Sequence, residues 1–390
     1  MKKIRNVLLS SLTAASIVSL AELETSAQPF TSGSDGTYGA ISVTSGTTNI
    51  DIPPNGVFNC TTINVANGAT LRFNRNPLNT PIYLLATGDV TITGTIDISG
   101  GTYSSGTPGV GGPGGFDGGY GGFGVGANTK GGDGQGPGGG ISQNNGYYSQ
   151  NPLGAAYATP ALSGKTYGNA LLSPLIGGSG GAGWDGNPGS GGGGGGGAIL
   201  VASNTKITVT GQVSANGGNG AGGGSGGAIR LVSPLVTGSG SLNASGGGGT
   251  FGSAYGTSGS SGRIRIDCQD AYSFRALTMN GVATRGSQMF VFFTPLTRLD
   301  ILQAAGQTIP EGTNSAVVIN LPAGSPTNQT VTVQARNFTN NVPISISVVP
   351  ENRPSSNYLA TITMTTNPSQ ITVNVVIPDG TISRISAWTH

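Results

Sequence analysis

The chain has 390 residues, of which only 8% are charged, and its 17 basic side chains nearly balance its 15 acidic ones. This balance supplies no strong field to attract nucleic acid or anionic lipid, so a nucleic-acid function is excluded. Glycine occupies 72 positions, and a glycine in a helix interior costs about 1 kcal/mol relative to alanine. Short alternating runs of Val, Ile, Thr and Tyr predict an all-β protein instead.

Residues 1–27 have the three parts of a cleavable signal peptide. Three basic side chains lie within residues 2–5, residues 7–20 are mostly apolar, and residues 25–27 supply the small side chains that cleavage requires. The apolar run is shorter than the roughly 20 residues of a membrane span and is interrupted by serine and threonine. We therefore predict a mature chain that begins near Gln28, is secreted or held at the cell surface, and has no membrane span.

Two glycine-punctuated sequences recur in the middle of the chain. The first occurs as GTIDISGG from Gly94, GQVSANGG from Gly211 and GSLNASGG from Gly240; the second occurs as GGAILVAS ending at Ser203, GGAIRLVS ending at Ser233 and SGRIRIDC ending at Cys268. A period of about 30 residues predicts a β-solenoid, in which each strand pairs with its counterpart one coil away. A β-sandwich is the alternative, but its hairpin turns do not explain why whole units recur.

Residues 100–197 interrupt the repeat with a long glycine-rich insertion. Such a composition has little to bury and is typical of disorder, but its many aromatic residues favour partly ordered loops packed on one flank of the solenoid. Exposed rings stack on sugar faces, so the candidates for glycan binding are Tyr120, Phe123, Tyr147, Tyr148 and Trp184. The alternative is that the rings anchor glycine loops that have no other large apolar side chains.

Residues 294–390 contain less glycine and seven alternating runs. The runs are RLDILQA, AVVINLP, QTVTVQA, PISISVV, YLATITMT, QITVNVVIP and SRISAWT. Seven short strands with turn residues every ten or so positions predict an immunoglobulin-like β-sandwich. We expect such a domain to be a spacer or a binding module.

Several of these segments together resemble a group of exported, glycine-rich bacterial proteins. The segments are NTPIYLLATGDVTITGTIDISGG, GGGGGGGAILVAS and GGGSGGAIRLVS, with VTVQA, VVPE and VNVVIPDG towards the C-terminus. The resemblance implies a right-handed parallel β-helix of the pectin-lyase type in residues 28–293, followed by an immunoglobulin-like domain. It implies little about activity, because that fold hosts lyases, hydrolases, adhesins and structural surface proteins.

Few residues offer catalytic chemistry. The one histidine, His390, is the last residue, and a chain terminus is a poor place to hold catalytic geometry. The best cluster is RIRIDCQD, in which strand alternation places Arg263, Arg265 and Asp267 on one face and Asp270 in the following turn. This cluster is the candidate site of a polysaccharide lyase or glycoside hydrolase. Its alternative role is ion pairing on a solvated strand face.

Neither a metal site nor a cofactor is predicted. GGFDGGYGG and GGDGQGPGG resemble calcium-binding nonapeptide repeats, but the acidic residues Asp117 and Asp133 are misplaced within them. Cys60 and Cys268 both belong to the mature chain, and export permits a disulfide. If they lie in the first and last coils, however, a stacking distance of about 4.8 Å per coil separates them too far for a bond. We therefore expect two buried free thiols.

The poor catalytic inventory predicts a secreted, non-enzymatic structural or adhesive protein of the cell surface or extracellular matrix, with glycan binding at the insertion. A polysaccharide lyase or glycoside hydrolase of the β-helix type is the alternative. The expected partners are extracellular polysaccharides or cell-surface components.

Overall fold

The computed structural model describes residues 30–122, 131–142, 152–162, 166–185, 189–249, 257–270, 272–292, 297–313, 315, 317–350 and 355–389. These residues form an all-β structure without a helix. They accordingly include no helix with the length and apolarity needed to cross a membrane. The predicted signal peptide and His390 lie outside the described residues.

Within this part of the chain, sixteen strands form two parallel sheets. The strands are β1 (Gly39–Val43), β2 (Thr47–Asp51), β3 (Val57–Val65), β4 (Thr70–Asn74), β5 (Ile82–Ala86), β6 (Val90–Ile92), β7 (Thr95–Asp97), β8 (Ala198–Ser203), β9 (Lys206–Val209), β10 (Gln212–Ser214), β11 (Ala228–Val232), β12 (Leu235–Thr237), β13 (Ser241–Asn243), β14 (Arg263–Asp267), β15 (Thr278–Asn280) and β16 (Val282–Gly286). The ten-stranded sheet has the order β12-β9-β6-β3-β5-β8-β11-β14-β16, with β1 beside β3. The six-stranded sheet has the order β15-β13-β10-β7-β4-β2.

The repeated sequence segments are neighbours in these sheets. In the ten-stranded sheet Ile229 lies between Ile199 and Ile264. In the six-stranded sheet Val213 lies between Ile96 and Leu242. Each unit of the sequence repeat thus lies directly beside the next, with apolar residues at the same register position.

The apolar side chains that alternate along these strands share one core. Ile92, Ile96, Ile199, Val213 and Leu231 are fully buried in it. Burying a side chain of this size stabilises the fold by roughly 1.5–3 kcal/mol relative to leaving it exposed. Stacked rows of such residues therefore hold consecutive units together.

Cys60 and Cys268 are buried free thiols of this core. Burial raises the pKa of Cys60 to about 12 and also raises the pKa of Cys268. Because the thiolate is the reactive form, we expect neither residue to react with a thiol reagent in the folded protein. Two thiols per chain should react after unfolding in guanidinium without reductant. A chain that shows no reactive thiol after unfolding would contradict this expectation.

The glycine-rich segments form a bundle of extended chains, which we call the glycine bundle. It comprises the described residues within 98–122, 131–142, 152–158, 177–185, 189–197, 215–227, 244–249 and 257–262. These segments contain no helix and no strand, yet their N–H groups donate hydrogen bonds from segment to segment. The backbone itself therefore holds the bundle together.

Segment 192–197 lies in the interior of the glycine bundle, and its N–H groups donate to three neighbouring segments in rotation. Gly192 and Gly195 donate to segment 116–119, Gly193 and Gly196 to segment 222–225, and Gly194 and Gly197 to segment 98–101. The direction of donation repeats every third residue, as in a polyproline II helix with three residues per turn. Carbonyl groups from Gly191 to Gly196 accept hydrogen bonds from the N–H groups of segments 109–112, 178–181 and 218–221. Six segments of the same chain therefore surround segment 192–197.

Only glycine fits at these interior positions. A methyl group on Gly193 would overlap the carbonyl oxygen of Gly218, and one on Gly195 would overlap that of Gly178. Because the segments contact each other backbone to backbone, a side chain has no space between them. The run of seven glycines, Gly191–Gly197, is therefore required by packing.

The described residues within 297–389 form two antiparallel sheets, which we call the antiparallel region. Their strands are β17 (Arg298–Ala304), β18 (Gln307–Thr308), β19 (Asn328–Arg336), β20 (Val342–Pro350), β21 (Ser356–Ile362), β22 (Ser369–Val376) and β23 (Ser383–Thr389). The sheet orders are β18-β17-β19-β22 and β21-β20-β23, and Val331, Val333, Ile344 and Ile346 belong to a core of their own.

Six of the seven runs predicted as strands in this region are strands, and AVVINLP is the exception. Residues 317–321 form no strand and pair with no other strand in the described part of the chain, and Val318 is 84% exposed. The alternation of apolar and polar residues in this run was not enough to make it a strand, because a strand also needs a neighbouring strand for its backbone hydrogen bonds. The two-residue strand β18 was not predicted.

The antiparallel region contacts the glycine bundle through β23. Trp388 packs against Phe116 with 5.1 Å between the ring centroids. Arg384 lies 3.6 Å from Asp117, and Arg75 donates two hydrogen bonds to the same carboxylate. Burial opposes the charge on Asp117, but the hydrogen bonds and charge of Arg75, with help from Gly111 and Arg384, lower its pKa. Asp117 is thus an ion-pair partner in this contact.

Candidate functional site

Strand β14 carries three of the four candidate residues of the lyase or hydrolase alternative. Ile264 and Ile266 point into the core, so Arg263, Arg265 and Asp267 share the opposite face of the strand, as the alternation implies. This outer face is covered by other parts of the chain, since Arg265 and Asp267 are buried. The cluster therefore lies beneath the surface rather than in a groove.

Asp267 lies between two arginines in a buried ion cluster. Its Oδ2 accepts hydrogen bonds from Arg230 Nε at 3.2 Å and Nη2 at 3.0 Å, and its Oδ1 accepts from Arg265 Nε at 2.9 Å and Nη2 at 2.6 Å. Asp267 has no exposed surface and Arg230 only 1%. Four donors saturate the carboxylate, so it has no capacity left to take a proton from a substrate.

The segment that leads to the antiparallel region closes this cluster. Arg230 donates to the backbone carbonyl groups of Gln288 and Phe290, and its guanidinium lies 4.5 Å from the centroid of the Phe290 ring. Burial lowers the pKa of Arg230, while the charge of Asp267 opposes that shift. Segment 287–292 therefore seals the ion cluster.

Arg230 was not among the predicted site residues. The sequence repeat could have predicted its position, because GGAIRLVS aligns with SGRIRIDC and so places Arg230 beside Arg265. Arg263 is apart from the ion pairs and donates to the carbonyl of Tyr167. Asp270 is exposed and accepts a hydrogen bond from the N–H of Tyr272. The four candidate residues of the lyase or hydrolase alternative thus do not converge on one accessible site.

Two of the five predicted glycan-binding residues, Tyr120 and Trp184, lie in the described part of the glycine bundle, and both are half-buried. The ring of Tyr120 lies against Gly132, and burial, with the nearby charge of Asp133, raises the pKa of its hydroxyl. Phe123, Tyr147 and Tyr148 lie outside the described residues. Both described residues are partly exposed, but the hydroxyl oxygen of Tyr120 and the indole nitrogen of Trp184 are buried.

Two other aromatic residues of the insertion have a clearer structural role. Tyr157 and Tyr167 are buried and stacked with 4.4 Å between their centroids. Their hydroxyl groups donate to the carbonyl groups of Ile176 and Gly177. They pack in one cluster with Leu200 of β8 on the outer face of the ten-stranded sheet, which is the anchoring role that the sequence left open as an alternative.

The acidic residues of the two segments that resemble nonapeptide repeats, Asp117 and Asp133, both have other partners. Asp117 is engaged by arginine, and Asp133 accepts a hydrogen bond from the N–H of Ser142. The part of the chain that the structure describes contains no group of three or more His, Cys, Asp or Glu side chains able to hold a metal ion.

The outward side of the six-stranded sheet presents polar side chains in register, and we call it the polar face. One row consists of Thr47, Thr70, Thr95, Gln212, Ser241 and Thr278. The neighbouring row consists of Asn49, Arg72, Asp97, Ser214, Asn243 and Asn280, of which Ser214 is buried. Arg72 and Asp97 neutralise each other at 2.7 Å. Hydroxyl and amide groups therefore dominate this surface.

A shallow groove of about 430 Å³ runs along the first row of the polar face. It follows the corners where the chain passes from the ten-stranded to the six-stranded sheet, and no residue that lines it is charged. Its corners include Gly94 and Gly211, and a methyl group on Gly211 would overlap the carbonyl oxygen of Gly94. The sequence repeat had aligned Thr95 with Gln212 and Ser241, but alternation alone did not indicate a groove.

Comparison with known proteins does not assign the chain to a family. The chain matches no protein-family model, and neither the curated proteins nor the solved structures provide a significant match.

Proposed function

We propose that this chain is a secreted, non-enzymatic structural or adhesive protein of the cell surface or extracellular matrix. In this proposal residues 28–293 are a right-handed parallel β-helix that presents the glycine bundle, and residues 294–390 are an immunoglobulin-like spacer or docking module. The parallel pairing of repeat units and the two antiparallel sheets support these assignments. The signal-peptide pattern of residues 1–27 supports the location.

The observation that carries the proposal is the sealed ion cluster at Asp267. A lyase or hydrolase of polysaccharides needs carboxylates or bases that reach the substrate. Asp267 instead has four hydrogen bonds to arginine and no exposed surface. The best catalytic candidate of the sequence is therefore fully engaged in a buried ion cluster, which favours a non-enzymatic role.

The test combines an activity assay with an attachment assay on the purified mature protein. We expect no release of reducing ends or unsaturated sugars from a panel of plant and bacterial polysaccharides. We also expect the protein to cosediment with at least one insoluble polysaccharide or cell-wall preparation. Turnover that is abolished by Asp270→Asn without a change in melting temperature would replace the proposal with the lyase or hydrolase alternative.

A second set of variants tests the aromatic residues as the attachment surface. Tyr120→Ala and Trp184→Ala should weaken cosedimentation if these half-buried rings stack on sugars. Each variant also removes packing from the glycine bundle, so its melting temperature must be measured alongside. Cosedimentation that is unchanged in both variants excludes these two rings as the contact, and failure of the wild-type protein to attach to any preparation removes the adhesive role.

A further inference from the structure

We propose that the groove on the polar face binds an extended chain of a neutral polysaccharide. This inference rests on the adhesive function proposed above and names its ligand class and its site. It differs from the aromatic candidates because it lies on the six-stranded sheet rather than in the glycine bundle. Three properties of the groove carry it: its hydrogen-bonding groups, its spacing and its charge.

The hydrogen-bonding groups suit sugar hydroxyls. Thr70, Thr95, Thr210, Gln212 and Ser241 line the groove, together with Thr93, whose hydroxyl already donates to the carbonyl of Val65. Hydroxyl groups both donate and accept, and an amide offers a separate donor and acceptor, which matches the mixed character of a sugar hydroxyl. The amide of Gln212 also contacts Ser214 of the next row, which holds it on the polar face.

The spacing of these groups suits a regular polymer. Thr70, Thr95, Gln212 and Ser241 occupy the same register position on β4, β7, β10 and β13. Neighbouring strands lie about 4.8 Å apart, which is close to the length of one sugar unit in an extended glycan. The four residues of the row that line the groove span about 14 Å at this spacing, so consecutive sugars meet equivalent partners.

The charge of the groove favours a neutral polymer. No lining residue is ionisable, and the nearest pair in the adjoining row, Arg72 and Asp97, is internally balanced. A polymer of uronic acids would lose hydration of its carboxylates without gaining a cationic partner. An uncharged chain loses less and gains several hydrogen bonds, each modest by itself, that add along the row.

Affinity electrophoresis of the full mature protein tests the site directly. The gels contain hydroxyethyl cellulose, glucomannan or polygalacturonate, and the retardation gives a dissociation constant for each. We expect retardation by at least one neutral polymer and none by polygalacturonate. The double variant Thr95→Val with Gln212→Leu should bind about tenfold more weakly, since each lost hydrogen bond is worth about threefold. The matched control, Thr361→Val with Gln370→Leu, changes exposed residues of the antiparallel region and should bind like the wild type.

Thermal melts must show that the variants are folded before their binding is compared. The inference is overturned if no neutral polymer retards the protein, if polygalacturonate alone does so, or if the Thr95 and Gln212 variant binds as tightly as the control. If the protein still attaches in the cosedimentation assay and only Tyr120→Ala or Trp184→Ala weakens it, the adhesive function stands and the groove is excluded.

Discussion

Replacing Gly193 with alanine should destabilise the protein by about 3 kcal/mol or more, because the new methyl group meets fixed backbone on an interior segment. The carbonyl oxygen of Gly218 lies only 1.9 Å from the position of that methyl carbon, and it already accepts a hydrogen bond from Gly224. Gly193 itself donates to Gly222 and accepts from Gly181. Any shift that relieves the overlap therefore strains several hydrogen bonds, each costing about 1–3 kcal/mol if left unmade.

The control for this prediction comes from the same bundle. At Gly248 a methyl group would meet only the side-chain oxygen of Asn219, at an ordinary contact distance of 3.4 Å. Gly248→Ala should therefore change stability by less than about 1 kcal/mol. Thermal unfolding followed by circular dichroism should show a melting temperature lower by about 5 °C or more for Gly193→Ala alone. Equal melting temperatures for the two variants would refute the close-packed bundle.

The second large effect is expected at the ion cluster. Asp267→Asn keeps the size of the side chain but leaves Arg230 and Arg265 facing each other in a buried site without a counter-charge. Removing one partner of a buried ion pair costs about 3–5 kcal/mol. The matched control is Asp97→Asn, which removes a surface partner of Arg72 and should cost less than about 1 kcal/mol. Urea unfolding of both variants measures the difference.

A triple variant separates loss of charge balance from loss of packing. Arg230→Met, Arg265→Met and Asp267→Leu together replace the ion cluster with apolar side chains, which is often neutral or stabilising for a buried cluster. We expect this variant to regain most of the stability that Asp267→Asn loses. If Asp267→Asn unfolds at the same urea concentration as the wild type, the carboxylate does not hold the cluster, and the argument for its structural role fails.

Side-chain alternation predicted the parts of the fold in which side chains make the contacts. Ile199, Ile229 and Ile264 were aligned by the repeat and lie side by side in the sheet. The strand face of Arg263, Arg265 and Asp267 followed from the same alternation. Its burial did not, because the covering residues, Tyr167 and segment 287–292, come from distant parts of the sequence.

The structure of the glycine bundle could not be predicted from side-chain alternation. A run of glycines has no side chain to indicate a period, so the threefold pattern of segment 192–197 exists only in its backbone hydrogen bonds. The sequence therefore left loops and disorder open for residues 100–197. The groove was not predicted either. The sequence repeat gives Thr95 and Gln212 equivalent positions, but the concavity beside them is formed by the backbone corner at Gly94.

The threefold rotation of the N–H groups also constrains how such a protein can change over evolution. One additional glycine within segment 192–197 would turn every following N–H group by about 120°, towards the wrong neighbour. Three additional glycines would restore all the directions after the insertion. We therefore expect the interior segments of the bundle to tolerate an insertion or deletion of three residues better than one of a single residue.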